Sequence, residues 1–492
     1  MLEIKEYDLI VVGTGSAINI VYRMIVDNSD TKIAVIDKND PGGISLTRGC
    51  IPSKMLLQHA NLVRMIEKVG EYNIDIEVKD VDFEKIMKGT RETIRERSES
   101  IGRVLINSEN VDYYPCTAEF VDPHIITVSR QRALRGSERE DAPEDMNITS
   151  KTIILGLGSR PRIPHIKGIR FAHYYTSDNI LEMEELPDTI AIVGGGYVAA
   201  EFGYFFSAMG SRVTLFSRNP RFLPSEEPEI SALAEKELGK RMTILTNHEV
   251  REIKEDSAKT LMVIERGTGK RKEFTADEVL IATGRAPNTT FIHPVRGGIQ
   301  TDDGGWVVVD EHLETSQPNI WALGDATGGH MFKHVADYES HIVYHNAILG
   351  ERIKADYQAI PRAIFIQPEI ASVGLGEGGA LERYGEDEVL IGFYNYRDTA
   401  MGEAMHIENG FVKVILHRST RKILGAHIIG PQASVLLQEI VTLMYTPDRS
   451  ADPIIHGMHI HPALSEVVEK AFLSLMTPRQ YRALGHNHDS RD

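Results

Sequence analysis

Two glycine-rich segments, about 180 residues apart, constrain the fold of this chain more than any other feature of its sequence. Each follows a short apolar run typical of a β-strand, Tyr7 to Val12 in the first segment and Thr189 to Val193 in the second. Each then leads into an apolar stretch with helical character. A strand that turns through glycines into a helix places the backbone amides of the helix N-terminus against a pyrophosphate. The sequence therefore predicts two dinucleotide-binding units.

The composition limits the class of protein and its partners. The 492 residues suggest three or four domains at roughly 150 residues each. The 54 basic and 71 acidic residues give a net charge of −17, which argues against nucleic-acid or anionic-membrane partners. No apolar stretch is long enough to span a membrane and no signal-peptide pattern is present, so we expect a cytoplasmic protein. Two cysteines and no Cys/His cluster with ligand spacing predict no metal site.

The first glycine segment, IVVGTGSAI, carries Gly13 and Gly15 of a G-x-G-x-x-G fingerprint, with Ile18 where the third glycine usually stands. Asp37 ends the next predicted strand, 24 residues after Gly13. A carboxylate at that place accepts hydrogen bonds from an adenosine ribose. This segment is therefore predicted to bind the adenosine diphosphate part of a dinucleotide.

The second glycine segment, IAIVGGGYVAAEFG, is a more complete copy and contains Gly194 and Gly196. Where an NAD-binding unit would end its next strand with a carboxylate, this chain has Ser217 and Arg218, with Arg221 close by. A carboxylate would repel a 2′-phosphate, whereas a guanidinium pairs with one. We therefore favour NADPH over NADH, the alternative being that both arginines are surface charges.

Two further segments, one polar and one apolar, bear on the predicted fold. The polar stretch from Ser129 to Asn147 is predicted to be an exposed hairpin or loop. The apolar run from Ile320 to Leu323 ends at Gly324 and Asp325. A strand end of this kind predicts a second contact between the first unit and its nucleotide.

The C-terminal part of the chain has a different pattern. From Ile360 onward, strand-like runs alternate with amphipathic helical stretches and no glycine fingerprint follows. The runs Phe411 to Leu416 and Ile423 to Ile429 indicate an α+β module. The polar residues after Thr477 are predicted to form a frayed terminus.

Several strings, in this order along the chain, carry a family resemblance: GGISLTRGCIPSK (Gly42 to Lys54), GGGYVAAEF, LIATGRAPN, WALGD and HIHPALSEVVEKA. With them, the chain resembles the flavin-dependent pyridine nucleotide–disulfide oxidoreductases over nearly its whole length, from Tyr7 to Leu475. Within that family it looks most like mycothione reductase and dihydrolipoamide dehydrogenase. The resemblance implies a glutathione-reductase-like α/β fold, with two Rossmann-type dinucleotide-binding domains and an α+β C-terminal dimerisation domain.

The resemblance also implies a division of the chain into domains. It places an FAD-binding domain at 1–157 with its second, central part at 285–358. An NAD(P)-binding domain at 158–284 interrupts it, a dimerisation domain follows at 359–478, and residues 479–492 form a polar tail.

The same resemblance implies a homodimer with tightly held FAD, in which hydride passes from NADPH to flavin and on to a cysteine pair that reduces a small disulfide. In the reverse reaction a dithiol would be oxidised. Lys54 would lie near the flavin, paired with Glu201, and Tyr197 would cover the nicotinamide pocket. His461 of the partner subunit would be the acid/base, oriented by Glu466, since a histidine titrates near neutrality. The implied cofactor contacts are Gly13, Gly15, Ser16, Asp37, Lys38, Gly43, Lys54, Gly158, Gly194, Gly196, Tyr197, Val198, Glu201, Ser217, Arg218, Gly284, Gly324 and Asp325.

One position departs from the family pattern. Members carry two redox cysteines separated by four residues; here Cys50 fills the inner place, but Ser45 stands in the outer one. Serine cannot form a disulfide, so the usual dithiol cycle cannot run through it. Cys116, 66 residues after Cys50 in a strand-like stretch, is predicted to be a buried structural thiol.

Three explanations for Ser45 remain open. It is an engineered replacement in a conventional enzyme, or it is natural in an enzyme that works with Cys50 alone. Single-cysteine relatives that reduce coenzyme A disulfide or peroxide are the precedent for the second. In the third explanation the chain has lost disulfide chemistry and serves as a diaphorase or a binding partner.

Overall fold

The structure is a computed structural model and describes residues 4–27, 30–129 and 145–485. In this part of the chain the strands form sheets of seven, four, three and six strands and one two-stranded ribbon. The polar stretch expected to be an exposed hairpin or loop falls largely at 130–144, outside the described residues.

The seven-stranded sheet is the centre of the first unit. Its strands are β1 (Ile4–Val12), β2 (Ile33–Ile36), β3 (Val111–Tyr114), β4 (Thr117–Asp122), β5 (Ile125–Ser129), β6 (Met146–Leu155) and β16 (Ile320–Ala322). The order is β3-β2-β1-β6-β5-β4, with β16 paired to β6. Strands β3, β2, β1, β6 and β16 are parallel, while β4 and β5 form an antiparallel extension.

This topology brings separate parts of the sequence to one edge. Because β1, β2, β6 and β16 are parallel, the residues that follow their carboxyl ends lie at the same edge of the sheet. Those residues are Gly13 after β1, Asp37 after β2, Gly156 after β6 and Asp325 after β16. The helices of this unit are α1 (Ile18–Val26), α2 (Gly43–Thr47), α3 (Cys50–Lys68), α4 (Phe83–Asn107) and α7 (Lys333–Val343).

The second unit repeats the strand–glycine–helix pattern. Its parallel sheet consists of β8 (Thr189–Val193), β9 (Arg212–Phe216), β10 (Thr243–Leu245) and β14 (Glu278–Ile281). The strand order in this sheet is β10-β9-β8-β14. An antiparallel sheet of β11 (His248–Glu255), β12 (Lys259–Glu265) and β13 (Arg271–Ala276) shares a core with it. Its helices are α5 (Tyr197–Met209) and α6 (Pro228–Leu238). The ribbon of β7 (Ser159–Pro161) and β15 (Arg285–Pro287) marks the chain's entry to this unit and its return.

The C-terminal module is an antiparallel sheet covered by helices. Its strands are β17 (Pro361–Ile364), β18 (Ile370–Gly374), β19 (Val389–Asn395), β20 (Phe411–His417), β21 (Ile423–Ile429) and β22 (Leu475–Met476). Its helices are α8 (Glu377–Tyr384), α9 (Ala400–Ala404), α10 (Ala433–Met444), α11 (Asp452–His456), α12 (Glu466–Leu473) and α13 (Pro478–Ala483). Helices α10 and α12 pack on the sheet around one apolar core.

Two expectations need correction. The prediction of a frayed terminus after Thr477 is wrong for the residues that are described, because α13 forms there and is capped by Thr477 and Gln480. The Tyr481 side chain is fully buried, so this helix belongs to the module. Cys116 is buried as expected, but it lies between β3 and β4 instead of within a strand, and it lines the cavity at the sheet edge where Gly13, Asp37 and Asp325 meet.

Candidate active site

The first glycine turn is held by close contacts between backbones. Gly13 has a φ of +105°, and a Cβ there would lie 2.2 Å from the carbonyl oxygen of Gly156. A Cβ on Gly43 would lie 2.5 Å from the Cα of Gly15. Side chains are therefore excluded where the three segments meet, and helix α1 begins five residues after Gly13. Such a cradle at a helix N-terminus suits a pyrophosphate.

Asp37 fixes this turn as well as facing the cavity. Its Oδ2 accepts hydrogen bonds from the Thr14 amide at 2.8 Å and the Thr14 hydroxyl at 2.6 Å, and its Oδ1 accepts one from the Asn39 amide at 2.9 Å. Burial raises the pKa of Asp37, although these hydrogen bonds oppose that shift. The sequence predicted a ribose contact here but not the second role in holding the glycine turn.

At the other side of the cavity, a chain of polar contacts begins at Asp325. The Ser159 hydroxyl donates to Asp325 Oδ2, and Arg285 Nε donates to the Ser159 hydroxyl at 2.8 Å. Arg285 Nη2 is buried and has no hydrogen-bond partner among the described residues. An orphaned donor in a cavity wall indicates a polar ligand group that completes the site.

Cys50 and Lys54 lie one turn apart at the start of α3. Cys50 is the first residue of this 19-residue helix and is exposed, at the end where the helix dipole favours negative charge. Lys54 Nζ donates to both carboxylate oxygens of Glu201, at 3.0 and 2.9 Å. Glu201 is 4% exposed and also accepts from the Phe365 amide at 3.0 Å. The pair implied by the resemblance is present, and it joins α3, α5 and the C-terminal module.

Tyr197, the first residue of α5, extends into the same cavity. Desolvation raises the pKa of Tyr197 to about 12; Arg285 opposes the shift, whereas Asp325 and Cys50 add to it. The phenol is therefore neutral near pH 7. A neutral aromatic ring at this place can stack against a planar ligand.

These groups line one continuous cavity. The site residues expected from the sequence that line it are Gly13, Gly15, Ser16, Asp37, Lys38, Gly43, Ser45, Cys50, Lys54, Gly158, Tyr197, Val198, Glu201, Gly324 and Asp325. The expected site residues outside its lining are Gly194, Gly196, Ser217, Arg218, Gly284, His461 and Glu466. The donor set fits FAD, since a glycine cradle, two strand-end carboxylates, an orphaned guanidinium and a lysine all face one space.

The second glycine turn lies apart from this cavity. A Cβ on Gly194 would lie 2.1 Å from the Ala282 carbonyl oxygen, and one on Gly195 would lie 2.3 Å from the hydroxyl of Ser217. The turn therefore packs directly on the end of β9, where Arg218 is exposed. Arg221 was expected close to Arg218, and its Nη2 donates to the Pro224 carbonyl at 3.0 Å.

His461 lies on a different face of the subunit. Its Nδ1 is 2.9 Å from Glu466 Oε1, and Glu466 Oε2 accepts from the Ala463 amide at 3.1 Å. The hydrogen bond with His461 holds the pKa of Glu466 below its ordinary value. The His461 side chain is 72% exposed, and Met458 and Ile460 beside it are exposed too. The imidazole is therefore oriented and presented outward from the subunit.

Sequence reasoning missed two residues that line the cavity, Arg48 and Arg285, and two acidic residues that contact its lining, Asp178 and Glu339. Arg48 Nε lies 3.4 Å from Asp178, and Arg285 Nη1 lies 3.9 Å from the same carboxylate. Glu339 is buried and accepts from the Gly324 amide and the Tyr357 hydroxyl. Arg285 was visible within the string LIATGRAPN, whereas Asp178 and Glu339 carry no local signal.

In the described part of the chain no helix is long and apolar enough to cross a membrane. The same residues contain no group of three His, Cys, Asp or Glu side chains placed to hold a metal ion.

Comparisons with known proteins agree with this architecture. The profile described as "Pyridine nucleotide-disulphide oxidoreductase" matches residues 7–340, and its dimerisation-domain counterpart matches residues 360–472. Mycothione reductase of Mycobacterium tuberculosis is 32% identical over 479 residues, which cover 96% of this chain and 100% of that protein. Dihydrolipoyl dehydrogenase of Chlamydia pneumoniae is 31% identical over 482 residues, covering 97% and 99%.

Among solved structures, the HOCl-induced flavoprotein disulfide reductase RclA from Escherichia coli, in complex with Cu(II), matches with a TM-score of 0.82. The match covers 96% of this chain and 99% of that one, at 25% identity. The predicted glutathione-reductase-like fold is confirmed, and the dimerisation domain indicates a homodimer. The chain belongs to the pyridine nucleotide-disulphide oxidoreductase family, whose members use FAD and NAD(P)H.

Proposed function

We propose that the chain is an NADPH-dependent flavin oxidoreductase that reduces a small disulfide through a single thiol, Cys50. One observation carries the proposal. Cys50 lines the same cavity as the Lys54–Glu201 pair, while the place of the family's second thiol holds Ser45. Cys116 is buried just beyond the end of β3, where its backbone amide bonds the Tyr114 carbonyl, and we assign it no redox role.

The cofactor is held by residues from both parts of the first unit in this proposal. The cradle of Gly13 and Gly43 binds the pyrophosphate, Asp37 the adenosine ribose and Asp325 the ribityl chain. When bound, FAD supplies the two-electron relay between the nicotinamide and the sulfur of Cys50.

Separate residues of the chain bind NADPH and assist hydride transfer. Lys54, fixed by Glu201, supplies positive charge where negative charge develops during hydride transfer. Tyr197 covers the nicotinamide pocket until NADPH enters. Arg218 favours the 2′-phosphate of NADPH because a guanidinium pairs with phosphate.

The sulfur chemistry follows from one thiolate and one imidazole. The Cys50 thiolate attacks one sulfur of the substrate disulfide, the S–S bond breaks, and the first half leaves as a thiolate. His461 of the partner subunit, held by Glu466, gives that thiolate a proton. The second half stays on Cys50 as a mixed disulfide until two electrons from NADPH and one proton release it as a thiol and restore the thiolate. A thiol of this kind stays reduced in the cytoplasm, where we place the protein.

Trapping tests the proposal directly. Reaction of the oxidised holoprotein with a small disulfide, followed by mass spectrometry, is expected to find one substrate half on Cys50 and none on Cys116. Cys50→Ala is expected to abolish disulfide reduction and retain NADPH-driven reduction of an artificial electron acceptor. Disulfide turnover that survives Cys50→Ala would refute the proposal.

The variant Ser45→Cys separates the single-thiol enzyme from the conventional one. Under anaerobic titration, the chain with Ser45 is expected to take up one equivalent of NADPH per subunit, because only the flavin stores electrons. With a cysteine at position 45 to form a disulfide with Cys50, a second equivalent is expected. A large gain in disulfide turnover with this variant would instead support the dithiol cycle, interrupted here by Ser45.

Peroxide is a second candidate substrate, favoured by the exposure of Cys50. The thiolate would attack one oxygen, release hydroxide and become a sulfenic acid. Two electrons from NADPH and two protons would then restore the thiol and release water. NADPH oxidation driven by hydrogen peroxide but not by disulfides would favour this alternative.

A further inference from the structure

A second guanidinium approaches Arg218 from a distant part of the sequence. Arg266 follows β12 in the turn to β13, and its Nη1 donates to the carbonyl oxygen of Arg218 at 3.1 Å. The backbone holds this arrangement: the Arg266 amide bonds the Asn247 carbonyl at 2.6 Å, and the Asn247 amide bonds the Asn219 carbonyl at 2.9 Å. The end of β9 and the β12–β13 turn are therefore fixed against each other.

The charges at this point favour an anion. Arg218 is exposed, and the side chain of Arg266 is 54% exposed. The only carboxylate within 4 Å of Arg266 among the described residues is Glu249, whose Oε2 lies 3.9 Å from Arg266 Nε. That carboxylate is engaged more closely by Arg251, at 2.7 Å. The Arg266 guanidinium thus lies against the backbone of the exposed residue Arg218, with a single carboxylate at 3.9 Å among the described residues.

The position of the pair relative to the second glycine turn identifies the anion. In dinucleotide-binding units, the residues at the end of the second strand face the 2′ position of the adenosine ribose. Here these residues are Ser217 and Arg218, and Ser217 is buried under Gly195.

We infer that Arg266 is a second phosphate-binding residue at this site and helps to select a dinucleotide with a 2′-phosphate. The inference rests on the proposed use of NADPH. Arg218 and Arg266 bracket the phosphate, the first from the end of β9 and the second from the β12–β13 turn. Nη2 of Arg266 and the second hydrogen of its Nη1 remain to donate when Nη1 keeps its bond to the Arg218 carbonyl.

Calorimetric binding of 2′,5′-ADP and 5′-ADP to the holoprotein tests this role without turnover. The native chain is expected to bind 2′,5′-ADP more tightly, and Arg266→Ala to weaken that binding about tenfold, the loss of one charge-assisted hydrogen bond. Binding of 5′-ADP is expected to stay the same, which also shows that the glycine turn is intact. Arg266→Lys, which keeps the charge but loses the planar fork, is expected to fall between the two.

Lys254→Ala is the matched control, because it removes an exposed cation of the same unit whose carboxylate neighbour is Glu252, at 3.9 Å, and leaves Arg218 and Glu249 untouched. It is expected to leave the affinity for 2′,5′-ADP unchanged. Equal affinity for 2′,5′-ADP in the native chain and in Arg266→Ala would overturn the role of Arg266 alone. Equal binding of the two nucleotides by the native chain would overturn the NADPH preference and this inference with it.

Discussion

Lys413 on β20 is a buried cation that joins the C-terminal module to the second nucleotide unit. Its side chain is 0% exposed, and its Nζ donates to Glu227, Glu229 and Glu377 at 2.8 Å each. Glu227 and Glu229 lie at the start of α6, whereas Glu377 begins α8. The ring of Tyr481 on α13 completes the enclosure, with its centroid 4.9 Å from Nζ.

Lys413→Met is expected to destabilise the protein strongly. Methionine fills a similar apolar volume, but it leaves three carboxylates together in a buried site without the ammonium. Removing one partner of a buried ion pair costs about 3–5 kcal/mol. The urea m value grows with chain size from about 1–3 kcal/mol/M in small proteins, and at about 3–5 kcal/mol/M the unfolding midpoint falls by roughly 0.6–1.7 M.

The pH dependence has a definite sign. Burial alone would lower the pKa of Lys413, but the charges of Glu227, Glu229 and Glu377 outweigh it and raise the pKa above its ordinary value of 10.5. A raised pKa in the folded state gives stability that is complete below the unfolded value and is lost as the pH rises through the folded value. The native cluster therefore keeps its stabilisation up to about pH 9, below the ordinary lysine value. Lys413→Met removes this titrating group, so the deficit of the variant should shrink as the pH rises above 10.5.

Urea unfolding followed by far-UV circular dichroism, at equal FAD concentrations, measures the effect. Lys422→Met is the matched control, since Lys422 lies outside the core near β20 in the same module and surface changes stay within about 0.5 kcal/mol. The reasoning would be refuted if Lys413→Met and Lys422→Met unfolded at the same urea concentration. It would also fail if the deficit of the Lys413 variant grew as the pH rose above 10.5.

Three further outcomes are expected. Gly13→Ala would place a Cβ 2.2 Å from the Gly156 carbonyl oxygen. We expect this to cost about 1–3 kcal/mol in backbone strain and to give purified protein with little flavin absorbance. Normal flavin content would contradict this expectation. Lys54→Met is expected to slow reduction of the flavin by NADPH about a hundredfold in stopped-flow measurements; an unchanged rate would remove Lys54 from the mechanism. Because the pKa of Glu466 is lowered by its hydrogen bond to His461, the carboxylate is ionised at neutral pH. Glu466→Gln should therefore reduce turnover about tenfold and move the alkaline limb of the pH–rate profile, where the acid His461 loses its proton, to lower pH; an unmoved limb argues against the pair.

Local sequence patterns were enough to predict the edge where the cofactor residues meet. The predicted strands Thr189 to Val193 and Ile423 to Ile429 match the observed bounds residue for residue. Gly13 and Asp37 follow parallel strands, and so their placement at one sheet edge follows from topology alone. These features can be predicted because the end of a strand and a glycine with positive φ are determined by residues that are close together in sequence.

Contacts between distant elements could not be predicted in this way. The Phe365 amide reaches Glu201 from 164 positions away, and Lys413 reaches Glu227 from 186. Both contacts depend on how the C-terminal module docks against the second unit, which no local periodicity encodes. The helix after Thr477 was missed for a related reason. Its polar residues are typical of a chain terminus, whereas its attachment to the core depends on the burial of one side chain, Tyr481.

Ser45 shows where the fold and the chemistry separate. It lies in α2, the short helix that precedes α3, and Cys50 is the first residue of α3. Exchanging the oxygen of Ser45 for a sulfur changes neither of these helices nor the glycines around them. The cradle at Gly13, the strand-end carboxylates and the Lys54–Glu201 pair would form equally well with cysteine at position 45. A disulfide needs two sulfurs, however, and an alkoxide is not accessible at neutral pH as a thiolate is. The architecture therefore provides the cavity and its polar contacts, while the one atom at position 45 decides whether a protein disulfide with Cys50 can form.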